Sequence, residues 1–288
     1  MSAVDLREAW SDLLRRRPAF RESLALCGAI LETWADWTPQ RLHALDWSAA
    51  ECRSRWERGV PLLAEAPVAV APPEIEDLLG SIMELLVPVD ESLAPGFQRL
   101  AEAWDRGTIG LAAFLPAKGR LGDGSAERES GLEPEWVGVL GCAALRPVLE
   151  AYFSPCREHG TEGVWMLGVC PFCGAPAGFA DLGEGGQRRL ACHLCGGAWS
   201  FARLRCPFCG VEGGKPMVRL DPGEREEGYA IVVCTDCRAY LKELDRRTRW
   251  NGGPPLVEDW GSPHFDLVAQ RQGYWRAVPV PIQLARHS

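Results

Sequence analysis

The sequence lacks features of a membrane or exported protein. No uninterrupted apolar run approaches the about 20 residues that a membrane-spanning helix needs, and the apolar residues 24–31 are bounded by Glu22 and Glu32. The first residues mix charges of both signs from Asp5 onward and show no small-residue cleavage site, unlike a secretory signal. We therefore expect a cytoplasmic protein without stable membrane insertion.

Familiar catalytic patterns are also missing. The sequence has no Gly-rich phosphate loop and no His-Glu-x-x-His metalloprotease pattern. Its histidines are scattered, and no Ser or Asp partner for any of them can be assigned from the sequence; they stand at positions 43, 159, 193, 264 and 287. We identify no catalytic residues and expect that the protein is not an enzyme.

Excess positive charge is a third missing feature. The net charge is −8, whereas proteins that bind nucleic acids generally present many Lys and Arg side chains to the phosphates. Residues 164–249 are nearly balanced, with twelve Lys and Arg against ten Asp and Glu. A nucleic-acid-binding zinc ribbon is therefore the weakest of the hypotheses below, and we expect no nucleic-acid partner.

Cysteine, in contrast, is abundant and regularly spaced. Eight of the twelve cysteines form four Cys-x-x-Cys pairs within 68 residues: Cys170 and Cys173, Cys192 and Cys195, Cys206 and Cys209, Cys234 and Cys237. Two intervening residues let a tight turn direct both sulfurs at one point, and two such turns complete a tetrahedral thiolate site. Eight ligands indicate two metal sites.

The four pairs show an internal duplication. CPFCG occurs at 170–174 and again at 206–210, and each copy is followed by a second pair, 22 and 28 residues later. Between the pairs lie strand-like runs around Gly-rich or Asp-Pro-Gly turns, which predict one hairpin per copy. Each hairpin would bring together its own two pairs; a crossed pairing between hairpins is the alternative. Zinc and iron both suit such sites, which would be closed to water and substrate.

The residues before the cysteines predict helices. Apolar residues recur at three- and four-residue steps, and Ser48 with Glu51 forms a capping box. The tryptophans of this half are interpreted as core residues rather than as a partner surface. We interpret Cys27, Cys52 and Cys142 as buried thiols, and we do not assign Cys156 with His159 as a further site. The Gly- and Ser-rich residues 117–134 are expected to form a mobile surface loop, with contact to a partner as the alternative.

These motifs resemble those of a known family. CPFCGAPAG at 170–178, ACHLCGGAWSFARLRCPFCG at 191–210 and CTDCRAYLKELDRR at 234–247 are similar to the formate dehydrogenase accessory proteins of bacteria, the FdhE proteins. Gly196 and Gly197 depart from the polar residues expected there. The resemblance implies a cytoplasmic assembly factor that binds the catalytic subunit of respiratory formate dehydrogenase before export. It also implies rubredoxin-like iron sites at the eight cysteines.

The sequence thus predicts an α+β protein with several domains. An all-helical domain (1–163) would precede two tandem rubredoxin-like or zinc-ribbon-like hairpin modules (164–205 and 206–250) and a tail with a short helix (251–288). The modules would hold two iron ions, or alternatively zinc, one per site. The main alternative function is rubredoxin-like electron transfer. Self-association is left open.

Overall fold

The computed structural model describes residues 3–39, 42–66, 72–117, 120–223 and 226–279. Within these ranges the α-helices are α1 (Ala3–Arg16), α2 (Ala25–Asp36), α3 (Ala49–Glu57), α4 (Pro72–Leu86), α5 (Ala94–Asp105), α6 (Ser125–Ser130), α7 (Pro134–Tyr152), α8 (Pro255–Trp260) and α9 (Pro263–Arg271). Two predicted features lie partly outside them: the end of the tail, which includes His287, and Glu224 in the turn of the second hairpin.

Apart from α6, the helices of the first half form where the sequence predicts helices. Helix α3 has the predicted capping box: the Ser48 hydroxyl accepts from the Glu51 backbone N–H, and the Ser48 backbone N–H donates to the Glu51 carboxylate at 2.8 Å. A proline in the first turn, where the missing N–H costs nothing, opens α5, α7, α8 and α9. Sequence signals at helix ends are therefore sufficient to place most of this half.

The tryptophans fill the helical core, as predicted. Trp34 and Trp56 are only 3% and 1% exposed, and Trp37, Trp47, Trp104 and Trp136 are partly buried against the same core. The Trp34 indole N–H donates to the Ala143 carbonyl at 2.7 Å, which joins α2 to α7. Trp34 also packs on Trp260 of α8, with 5.6 Å between ring centroids. The aromatic residues thus connect the first half of the chain to its last helices.

The prediction of a loop at 117–134 is wrong. Strands β1 (Pro116–Ala117) and β2 (Arg120–Leu121) pair as a short hairpin, so the first half is not purely helical, and α6 follows. Just before the helix, the Asp123 carboxylate accepts from the Ser125 backbone N–H at 2.8 Å, and the helix ends at Gly131 with a φ of 68°. Ala126 and Ser130 are buried, because α6 packs on α5. One small apolar residue gives too weak a periodicity for sequence analysis to detect.

One sheet receives strands from both cysteine hairpins. Its strands are β3 (Phe179–Leu182), β4 (Arg188–Ala191), β5 (Ala198–Phe201), β6 (Met217–Leu220), β7 (Tyr229–Cys234), β8 (Ala239–Asp245) and β9 (Trp275–Arg276). The order is β5-β4-β3-β8-β7-β6, and β9 also pairs with β8. The predicted hairpins are β3 with β4 and β6 with β7, both antiparallel. The parallel pairing of β3 with β8 places Ala180 opposite Glu243 and joins the two hairpins.

Strand β8 lies inside the sheet, between β3 and β7. Its residues AYLKELD are extended although they carry charges at successive positions. Both faces are covered: Lys242 and Glu243 are 1% and 2% exposed. The Glu243 carboxylate lies 3.1 Å from the Arg188 guanidinium and also pairs with Arg219. The Lys242 ammonium pairs with Asp259 and Asp266, which follow β8 in the sequence. Because the charged residues 242 and 243 are both buried, β8 lacks the alternation of apolar and polar residues that indicates a strand in the sequence.

The fold is therefore a mixed helix and sheet structure. Helices α1 to α7 precede the sheet, and α8 and α9 pack against it at β3 and β7. The division into four domains at 1–163, 164–205, 206–250 and 251–288 stays a prediction. Within the described ranges, we find no helix with the length and apolar character required to cross a membrane.

Candidate metal centres

The four Cys-x-x-Cys turns adopt closely related backbone conformations. In the first, the Gly174 N–H donates to the Cys170 carbonyl at 2.9 Å, and in the third the Gly210 N–H donates to the Cys206 carbonyl at 3.0 Å. These glycines have φ values of 80° and 78°, and Gly196 has 75° in the second turn. A left-handed residue after each second cysteine lets the chain reverse and presents both sulfurs on one side.

The fourth turn has Arg238 at this left-handed position. Its φ is 62°, and it is the one non-glycine residue with positive φ in the described part of the chain. The guanidinium lies 4.1 Å from the centre of the Tyr274 ring and donates to the Gln272 carbonyl at 2.6 Å. These contacts offset the cost of the backbone conformation and fix the residues that follow α9 to the turn.

The first group of sulfurs is the inner cluster: Cys170, Cys173, Cys192 and Cys195. All four Sγ atoms lie within 4.8 Å of one another, and every residue is buried. The Sγ atoms of Cys170 and Cys195 are 3.5 Å apart, as are those of Cys173 and Cys192. These distances are far too long for disulfides. Four thiolates at ~2.3 Å from one ion would be ~3.8 Å apart, so the arrangement suits a tetrahedral metal ion.

The second group is the outer cluster: Cys206, Cys209, Cys234 and Cys237. Its Sγ atoms also lie within 4.8 Å of one another, with 3.7 Å between Cys206 and Cys237 and 3.7 Å between Cys209 and Cys234. Cys209 is exposed and Cys237 is half-buried. The structure thus brings the predicted cysteines together hairpin by hairpin, rather than in the crossed arrangement. Both groups could hold metal ions, zinc or iron by their donor atoms.

Several thiols of the two clusters have shifted pKa values. Burial raises the pKa of Cys170 and Cys173, and it raises the pKa of Cys206 to about 11. For Cys195, burial is outweighed by hydrogen bonds from the other inner thiols and by the charge of Arg157, which lower its pKa. Burial is likewise outweighed at Cys209, where the Val211 N–H and the other outer thiols lower the pKa. Binding an ion would release protons from most of these thiols.

The helical part of the chain holds the first turn of the inner cluster. The Trp56 indole N–H and the Leu62 backbone N–H both donate to the Pro171 carbonyl at 3.0 Å. The Leu63 N–H donates to the Phe172 carbonyl at 2.8 Å. Phe172 also lies edge-on to Trp56, with 5.9 Å between centroids. The two residues between the first pair of cysteines are therefore fixed from outside their own hairpin.

Two arginines hold the second turn in the same way. Arg146 of α7 donates to the His193 carbonyl at 2.9 Å, and Arg157 donates to the Cys195 carbonyl. The departures from the family pattern at 196 and 197 have a steric reason here. A Cβ on Gly196 would lie 2.7 Å from the Arg146 guanidinium, and one on Gly197 would lie 2.5 Å from the Phe172 ring. The two glycines provide the space that lets the helical side chains approach the cluster.

His193 lies at the tip of the second turn and does not join the cluster. Its Nε2 is 2.9 Å from the Asp259 carboxylate at the end of α8. Burial lowers the pKa of His193. Burial alone would raise the pKa of Asp259, but the charges of Arg276 and Lys242 outweigh it and lower that pKa. The sequence analysis did not predict this buried network, because its members are widely separated in sequence.

The remaining cysteines lie apart from the clusters. Cys27, Cys52 and Cys156 are buried and Cys142 is half-buried, close to the prediction of buried thiols. The Cys156 thiol lies 3.3 Å from the Leu45 carbonyl, and His159 contacts the Trp47 carbonyl at 3.0 Å. In the described ranges, the inner and outer clusters are the groups of three or more His, Cys, Asp or Glu residues arranged to hold an ion.

Comparisons with known proteins give several relatives, although no family model matches the chain. A "Protein FdhE homolog" from Pseudomonas aeruginosa is 28% identical over 253 residues, which cover 75% of this chain and 77% of the relative. Homologs of the same name from Stutzerimonas stutzeri and Aquifex aeolicus are 32% and 27% identical, and the alignments cover 48% and 52% of their lengths. The chain thus aligns with about half of these two relatives.

A solved structure shares the fold over nearly the whole chain. The crystal structure of the FdhE protein from Pseudomonas aeruginosa superposes with a TM-score of 0.63. The match covers 97% of this chain and 95% of that one, at 20% sequence identity. The mixed helix and sheet arrangement described above is therefore that of a known protein.

Proposed function

Because the chain belongs to the FdhE family, we propose that it is an accessory factor that a bacterium needs to make active formate dehydrogenase. In this proposal the protein acts in the cytoplasm, binds the catalytic subunit before export and is not itself an enzyme. The observation that carries the proposal is the construction of the two clusters. Each offers four cysteine sulfurs to one ion, which leaves no coordination position for a substrate.

The clusters have a binding role in this proposal rather than a hydrolytic one. An ion at each would tie two turns together and stabilise the ends of the strands next to them. Exposed apolar side chains lie close to the outer cluster: Leu204 is 57% exposed, and Met166, whose carbonyl accepts from Arg205 at 3.4 Å, is 59% exposed. Apolar side chains of this kind on the surface suit contact with another protein.

Co-purification tests this function. The tagged chain is produced with the catalytic subunit of formate dehydrogenase, and the subunit is quantified after affinity capture. We expect enrichment of the subunit, and lower formate dehydrogenase activity in cells that lack the chain. A Leu204→Glu variant should reduce capture, and a Val89→Glu variant, at a 40% exposed position of the helical part, is the matched control. Capture at background level by a chain with both metal sites filled would contradict the proposal.

Iron is the proposed ion at both clusters, with zinc as the alternative, and metal analysis of protein purified without added metal distinguishes them.

A second candidate function is rubredoxin-like electron transfer. It is favoured by the exposure of Cys209, because an ion there would lie close to the surface where a redox partner could approach. Visible absorbance that disappears with a reductant and returns with air supports this function. Colourless protein, or colour that does not respond to a reductant, counts against it.

A further inference from the structure

The two clusters differ in how they are enclosed. All four cysteines of the inner cluster are at most 2% exposed, and they belong to the main hydrophobic core together with residues of α1 to α7. In the outer cluster, Cys206 and Cys234 are buried, but Cys209 is exposed and Cys237 is half-buried. A reagent in solution can therefore reach a sulfur of the outer cluster without any change in the fold.

The clusters also differ in which parts of the fold must separate before their sulfurs become accessible to solvent. The turns of the inner cluster are held by hydrogen bonds from Trp56, Leu62, Leu63, Arg146 and Arg157, all outside the hairpin. Exposing these sulfurs requires separation of the helical part from the sheet. Such an opening involves much of the core and has a free energy close to that of global unfolding.

In the outer cluster, Arg238 joins the fourth turn to residues 272–275, whereas the third turn, residues 206–210, has fewer and more exposed supports than the inner turns. The Trp275 indole N–H donates to the Cys237 carbonyl at 2.7 Å, and its ring packs on Phe208 with 6.1 Å between centroids. Trp275 is itself 48% exposed. The bonds from Gly210 to Cys206 and from Arg238 to Cys234 lie within the turns themselves. Local movement of residues 206–210 can thus open this cluster while the core stays intact.

From these differences we propose that the outer cluster is an exchange site for a thiophilic divalent ion, whereas the inner cluster retains its ion for as long as the chain is folded. Exchange proceeds by entry of an external ligand at the exposed side of Cys209. The ion leaves with that ligand, the freed thiolates take up protons from water, and no electrons are transferred. This inference depends on metal binding but not on a role in formate dehydrogenase assembly.

The test uses the full chain loaded with two zinc ions and the chromophoric chelator 4-(2-pyridylazo)resorcinol in native buffer. One ion per chain should be released in a fast phase and the second at least about tenfold more slowly, because local opening precedes unfolding. N-Ethylmaleimide labelling, mapped by mass spectrometry during the fast phase, should modify the outer cysteines first. The inner cysteines and Cys27, which is 0% exposed, should stay unmodified until the chain is denatured.

Variants assign each phase of zinc release to one of the two clusters. Cys209→Ser should abolish the fast phase and leave the slow phase unchanged. Arg157→Ala, which removes a donor to the Cys195 carbonyl, should accelerate the slow phase alone. Arg53→Ala, at a 58% exposed arginine paired with Glu57, is the control and should change neither phase. Release of both ions at one rate, or earlier labelling of the inner cysteines in the wild-type chain, would overturn the proposal even if a variant failed to fold.

Discussion

The indole N–H of Trp56 donates a 3.0 Å hydrogen bond to the carbonyl oxygen of Pro171, the residue that follows the first cysteine of the inner cluster. The donor lies on α3 and the acceptor 115 residues later in a cysteine turn, and both side chains are buried. A helix of the first half therefore takes part directly in shaping a candidate metal site of the second. The stability of the helical part and metal binding at the inner cluster should consequently be coupled.

Replacing one cysteine of each cluster should have unequal effects. Cys206→Ser should lower the metal content from two ions to one while the helical signal in circular dichroism persists. Cys170→Ser should also lose an ion, and it should lower the free energy of unfolding of the whole chain by more than about 4 kcal/mol, because the inner cluster lies in the main core.

Cys142→Ala, at a half-buried thiol outside both clusters, is the control for these cysteine variants and should keep two ions. The measurements are metal content by mass spectrometry and urea unfolding. Unchanged metal content in Cys206→Ser would show that the ligand assignment is wrong.

The buried ammonium of Lys242 should be essential to the sheet. Its Nζ lies 3.3 Å from the Asp259 carboxylate and 2.5 Å from that of Asp266. Lys242→Met would leave buried carboxylates with one cation fewer and should lower the free energy of unfolding by about 3–5 kcal/mol. Lys215→Met, at an exposed lysine, should have little effect on urea unfolding. Similar midpoints for both variants would contradict this role for Lys242.

Gly168 should be intolerant of a side chain for a purely steric reason. A Cβ at this position would lie 1.8 Å from the carbonyl oxygen of Pro207, where the residues before the first cysteine turn approach the third turn. Gly168→Ala should lower the free energy of unfolding by about 1–3 kcal/mol, because the added methyl group overpacks the site. Gly214→Ala is the matched control, because a Cβ there has no neighbour within 4 Å. Equal thermal midpoints for the two variants would count against this close approach.

Acid should destabilise the protein partly through Glu258. Burial would raise the pKa of this carboxyl, but hydrogen bonds from Tyr229 and Gly253 and the charge of Arg16 lower it below its usual value of 4.5. A pKa that is lower in the folded state gives stability that is present above the unfolded-state pKa. That stability is lost as the pH falls below about 4.5 through the folded-state pKa.

Glu258→Gln should therefore be less stable than wild type at pH 7, and its stability should depend less steeply on pH between about 5 and 3. Glu57→Gln, at an exposed helix position, is the control and should keep the wild-type slope. Urea unfolding at a series of pH values measures both quantities. Parallel curves for Glu258→Gln and wild type would contradict the assignment.

Local signals in the sequence were sufficient for much of the fold. The spacing of the eight cysteines predicted which sulfurs lie together, and the turn residues predicted both hairpins. The capping box of Ser48 and Glu51 placed the start of α3. These features depend on residues within about 30 positions of one another, where turn geometry and periodicity determine the structure.

The features that sequence analysis missed are nonlocal. The parallel pairing of β3 with β8 joins residues 63 positions apart, as Ala180 and Glu243 show, and no turn residue indicates it. From the sequence alone Lys242 would be assigned to the surface, because its acidic partners on α8 and α9 lie well beyond β8 in the chain. Arg238 occupies a left-handed position usually taken by glycine, because residues 272–274 contact its side chain. The strand pairing, the burial of Lys242 and the conformation of Arg238 all depend on contacts that exist only in the complete fold.

The position of β8 in the sheet has a consequence for synthesis on the ribosome. Strand β3 is made early in the second half of the chain, but its neighbour β8 ends at Asp245 and the acids that neutralise Lys242 come later still, at 259 and 266. All four cysteines of the inner cluster are therefore synthesised before the sheet around them is complete. A nascent chain that takes up metal early would hold β3 and β4 in register until the rest of the sheet emerges.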